Sequence, residues 1–98
     1  MLSLSQLHAL KILEAINIRL VRLKNSVRDI MVAVDDNNMQ FCKARRQGLE
    51  LIKEFDKYKT LAYAIIKKHL NDVTGCNAIE ELDYIVSSYS EYKPFFQN

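Results

Sequence analysis

From Leu13 onward, apolar residues recur alternately three and four positions apart: Leu13, Ile16, Leu20, Leu23, Val27, Ile30 and Val34. This spacing is a heptad seam, a single stripe along one helix. Ala9 and Gln6 carry the register back with weaker residues, and Ser3 with Gln6 has the spacing of a capping box. The pattern predicts a first helix over about residues 3–34. Asp35, Asp36, Asn37 and Asn38 then interrupt it with side chains that bond their own backbone in turns.

A second seam follows with the same arithmetic: Phe41, Ala44, Gly48, Leu51, Phe55, Tyr58, Ala62, Ile65 and His69. It predicts a helix over about residues 38–71. It mixes large residues with small ones. Gly48 costs about 1 kcal/mol in a helix interior relative to alanine, which points to a close approach by a neighbouring backbone. Gly75 stands where a left-handed C-cap is expected. Asn77 and Glu80 are spaced like a cap, and Ile79, Leu82, Ile85 or Val86, and Tyr89 line one face of a third helix over about residues 77–92. Pro94 requires that helix to end before it.

Two long helices of matched length, joined by a short polar turn, form an antiparallel hairpin. The third helix packs across its end or along one groove. The expected fold is therefore all-α, a three-helix bundle in one domain of residues 1–98 that dimerisation can extend into a larger bundle. Composition agrees. With 98 residues, 49% of them hydrophobic, two glycines and one proline, the chain is neither disordered nor a turn-rich β sandwich. No apolar run approaches the roughly 18 residues of a membrane span. The first residues lack a basic region before a helical pattern begins, and neither end carries a lipidation signal. A cytoplasmic setting with reduced cysteines is expected. Cys42 and Cys76 flank the second helix, about 40 Å apart at the helical rise, so they cannot bridge.

Charge divides the chain. Residues 1–70 carry thirteen Lys and Arg against seven Asp and Glu, whereas residues 71–98 carry Lys93 against five acids. In an antiparallel hairpin Arg19 is expected near Asp56, Arg22 near Glu54, and Arg28 near Gln47 and Glu50. The basic cluster is then partly answered within the fold. Lys43, Arg45 and Arg46 fall in the first turns of the second helix, where cations oppose the dipole. They are candidates for an anion, an acidic partner or a nucleic acid, although no nucleic-acid signature accompanies them and the pI is 8.6.

Chemistry is sparse. His8, His69, Asp72 and Cys76 gather at one end of the expected bundle, but their spacing matches no zinc motif. No phosphate loop, catalytic triad or paired-carboxylate pattern occurs, and no cofactor is implied. In outline, the order long helix, helix, short helix resembles the small helical chorismate mutases. The resemblance implies cationic side chains and a Gln or Glu converging on a dianion, here Lys11, Arg28, Arg46 and Gln47. Met39 stands where that family would want a lysine.

The remaining signal is an unpartnered face. Leu7, Ile18, Val21 and Val32 form a second, broken apolar line on the far side of the first helix. One short third helix does not easily cover both faces of so long a helix. The tail carries five of the nine aromatics, with Tyr92, Phe95 and Phe96 either docked or offered to a partner. The expected function is a non-catalytic protein that acts by contact, as a regulator, an immunity-type inhibitor or a chaperone-like adaptor. Its partner is another protein or a second copy. Nucleic-acid binding through residues 43–46 and a mutase-like enzyme are the alternatives.

Overall fold

A computed structural model describes residues 2–97, without the side chain of Gln97; Met1 and Asn98, which bear on the terminal-signal readings, lie outside it. The chain is all-α, with α1 at Leu4–Asp35, α2 at Phe41–His69, α3 at Val73–Ser90 and a short α4 at Lys93–Gln97. Three long helices pack side by side as a bundle, with no strand among the described residues.

The start of α1 forms as its sequence dictates. Gln6 N–H donates to Ser3 Oγ at 3.1 Å, and Ser3 N–H donates to Gln6 Oε1 at 3.0 Å, a reciprocal capping box. At its end Asn37 adopts a left-handed φ of 59°, a conformation asparagine tolerates. Asn38 N–H reaches the Ala33 carbonyl at 2.7 Å and Asn37 N–H reaches Val34 at 3.0 Å, a Schellman closure that turns the chain into α2.

The first seam is buried as read. Ala9, Leu13, Ile16, Leu20, Leu23, Val27 and Ile30 are all in the core, and Val34 is half-buried. The second seam is rotated. Ala44, Gly48, Ile52, Phe55, Ala62 and Ile66 are buried, while Leu51 and Ile65 are half-buried and Phe41 is 48% exposed. The cause is the position of α2 in the bundle. It packs against α1 on one side and α3 with α4 on the other, so its buried stripe centres between them. A straight helix also drifts about 20° per heptad from a strict seam.

The α2–α3 junction corrects the sequence reading most. Asp72, not Asn77, caps α3: its Oδ1 accepts from Thr74 N–H at 3.0 Å, and the helix begins four residues earlier than expected. Gly75 is not a left-handed cap, since no glycine has positive φ. It lies in the first turn of α3, pressed on the Leu70 carbonyl oxygen that any Cβ there would strike. Glycine is required by close approach and not by conformation. Residues 72–77 read as a loop only because glycine has both uses.

On α3, Leu82, Ile85 and Tyr89 are buried, but Ile79 remains 39% exposed. The Phe55 and Tyr89 rings stack with centroids 3.7 Å apart, tying α3 to α2. The helix stops at Ser90, short of Pro94, which instead sits in the first turn of α4, where a missing N–H costs nothing. Phe96 is fully buried against Gly48, so the glycine makes room for a ring and not for the neighbouring backbone its spacing suggested. The cross-hairpin charges are shifted. Arg19 pairs with Glu54, while Asp56 takes Lys93 at 3.2 Å and Arg28 takes its neighbour Asp29 at 3.5 Å.

Candidate functional site

A groove of about 760 Å³ lies between α1 and α3. It arises from the side chains each helix offers. From α1 come Leu10, Leu13, Glu14, Asn17, Ile18, Val21 and Arg22, and from α3 come Thr74, Asn77, Ala78, Glu81 and Ile85. At its N-terminal end the α3 side is made of small residues, Thr74, Asn77 and Ala78, where a closed bundle would place leucines. Meanwhile Tyr89 and Leu82 hold α3 in the core, and Tyr63 on α2 donates to Asp83 of α3. Thus α3 leans on α2 and leaves its α1 side open.

The floor is apolar, through Leu13 and Ile85, which are at most 6% exposed. Ile18 stands at the edge, 48% exposed. Glu14 and Glu81 bring negative charge and Arg22 positive charge to the rim. Asn17 Oδ1 is buried in the wall and makes no hydrogen bond. A surface of this kind accepts apolar side chains from a helix and orients it through the rim charges.

The expected contact residues divide accordingly. Ile18 and Val21 share the groove. Leu7 lies in a smaller hollow with Leu4, His8 and Lys11, and Val32 is half-exposed toward the far end of α1, outside both. Lys43 is exposed at the start of α2. Arg45 and Arg46 border a small hollow with Phe41, Cys42 and Leu49, and Arg45 Nε donates to the Phe96 carbonyl at 3.2 Å. Of the tail aromatics, Tyr92 and Phe95 are half-buried. Phe95 meets Phe41 edge-on at 5.7 Å, and Phe96 is enclosed and presents no surface. The docked alternative therefore holds for Phe96.

The other constellations do not gather. Lys11 lies beside Leu7, Gln47 lines a separate hollow with Ile30 and Lys57, and Arg46 lies by Phe41. Arg28 is on the same helix as Lys11, about 25 Å away at the helical rise. Asp72 is committed to capping α3 and to accepting from Gln6 Nε2 at 3.3 Å. Among the described residues no group of three or more His, Cys, Asp or Glu side chains is placed to hold a metal. No helix is long and apolar enough to cross a membrane among those residues.

Sequence reasoning missed the N-terminal end of the α3 wall, at Thr74, because the third helix was expected to start only near residue 77. The available signal was the i,i+4 pair of small residues, Thr74 and Ala78. The chain matches no protein family, no curated protein and no solved structure.

Proposed function

We propose that this protein is a non-catalytic helical docking module that acts by protein–protein contact through the α1/α3 groove, as a regulator, inhibitor or adaptor does. One observation carries the reading: a long, open, apolar-floored groove with Ile18 and Val21 at its edge and charges on its rim. Concave apolar patches rimmed by polar groups are where soluble proteins receive partners. The nucleic-acid reading draws less support, because Arg45 is engaged with the tail backbone. The mutase-like reading draws less as well, because its four side chains lie in different places. Two exposed thiols, separated by a continuous helix, suit the reducing cytoplasm.

The test is a photo-crosslinking amino acid at position 18, with the same probe at Lys53 on α2 as the control, in cells of the source organism. Defined protein adducts at 18 that the control lacks, and that an excess of unlabelled wild-type chain competes away, are expected. Identical adduct patterns at both positions would remove the groove from consideration.

A further inference from the structure

We infer that the occupant of the α1/α3 groove is a second copy of this chain, with α1 crossing α1 antiparallel about a two-fold axis at Ile18. This rests on the docking reading above and names its partner.

The argument begins with one row of side chains. Leu10, Glu14, Ile18 and Arg22 recur every fourth residue and all line the groove, so they form a continuous ridge along α1. Ridges of this type interdigitate in the most common class of helix crossing, near −50°. In the middle of the row stands Ile18, half-exposed, with opposite charges one turn away on either side. A two-fold axis through Ile18 reverses the row. It sets Glu14 against Arg22 of the second copy, and Arg22 against Glu14 of the second copy, around an Ile18–Ile18 contact. A parallel pairing would set Glu14 on Glu14 and Arg22 on Arg22. The surface is therefore charge-complementary to itself in one orientation only, as an isologous contact requires.

Two further observations favour a helix in this position. The molecule is a rod of 53 × 18 × 17 Å with a radius of gyration of 15.7 Å, where a compact chain of this length has about 13 Å. A helix laid across the groove adds the layer the rod lacks. The groove floor is apolar, with Leu13 and Ile85 at most 6% exposed, which suits the apolar side chains of a second helix.

The test uses the full chain and light scattering behind size exclusion. Glu14 and Arg22 are both exposed and neither pairs with another residue of its own chain among the described residues, so their reversal leaves the fold intact, as circular dichroism will verify. Wild type is expected at twice 11.4 kDa. Glu14→Arg opposes like charges at both ends of the contact, as does Arg22→Glu. Each variant alone should dissociate with about tenfold weaker affinity. Mixing the two restores complementarity at both ends and should return a dimer, as should the double variant in one chain. A folded wild type that stays monomeric at hundreds of micromolar overturns the inference. So does a dimer that ignores both reversals. If that monomer still gives position-18 adducts with a different protein, the second copy fails while the docking reading stands. If it gives none, both fail.

Discussion

At the scale of single residues, the most informative contacts are the unsatisfied ones. Tyr89 stacks on Phe55 at the centre of the bundle, yet its hydroxyl is buried without a hydrogen bond, and Asp56 Oδ1 is likewise buried without one. Burial first, and the Asp56 charge second, hold the Tyr89 phenol in its neutral form well above the ordinary range. A buried hydroxyl without a partner costs about 1–3 kcal/mol of desolvation. Tyr89→Phe keeps the stack and removes that cost, so its urea midpoint is expected to rise, by about 1 kcal/mol in stability. A loss of similar size would mean that the hydroxyl is bonded through water to Asp56. Tyr63 gives a pH prediction. Burial first, then its hydrogen bond to the Asp83 carboxylate and that group's charge, push its phenol up to about 12. Because the folded value lies above the unfolded value of about 10, the contribution is fully present below pH 10 and is lost as the pH rises toward 12. Denaturation midpoints measured from pH 9 to 12 should fall more steeply in wild type than in Tyr63→Phe. Parallel curves would show that the phenol is not held this way.

Among the helices, the seat of Phe96 against Gly48 is the sharpest feature. Alanine at 48 gains about 1 kcal/mol of helix propensity, but its Cβ clashes with the edge of the Phe96 ring. Overpacking of this kind costs about 1–3 kcal/mol, so Gly48→Ala should destabilise on balance. In a Phe96→Ala background the clash is gone and the same substitution should stabilise. This sign reversal in a double-mutant cycle, read by chemical denaturation, tests the pairing directly, and additive effects would refute it. Legibility in the sequence followed the same logic. The α1 seam, its capping box and the asparagine turn were readable because each depends on residues a few positions apart. The special role of Gly48 was readable as a close approach, but its partner was not, since Phe96 lies far along the chain. The rotated face of α2 and the early start of α3 depend on which neighbours pack where, and periodicity within one helix carries no such information. The groove itself was half legible. Its α1 edge, at Ile18 and Val21, was marked by apolar residues off the main seam, whereas the N-terminal end of its α3 wall was hidden by reading Gly75 as a cap.

For the whole molecule, the tail determines how the parts hold together. After α3, the chain runs on along α2 and is fastened by Lys93 to Asp56, Phe95 edge-on to Phe41, Phe96 on Gly48, and the Phe96 carbonyl to Arg45. These contacts close the half of the hairpin that α3, 18 residues long, does not reach against a 29-residue α2. The acidic third helix and basic hairpin noted in the sequence meet only in part, and the tail's own cation does the joining at Asp56. A chain ending at Ser90 keeps α1, α2 and α3 but loses a fully buried phenylalanine together with these ties. Deleting a core phenylalanine side chain costs about 3–5 kcal/mol, a large part of the roughly 5–15 kcal/mol that holds a domain folded. At about 4–8 °C per kcal/mol for a chain of this size, the truncated protein should melt at least about 12 °C lower while keeping most of its helical signal when cold. A melting temperature within about 3 °C of the parent would show that the tail rests on the bundle without supporting it. Because the tail lies along α2, away from the α1/α3 groove, the truncation should also leave position-18 crosslinking unchanged at temperatures where the shortened chain is folded, which separates support of the fold from the docking surface.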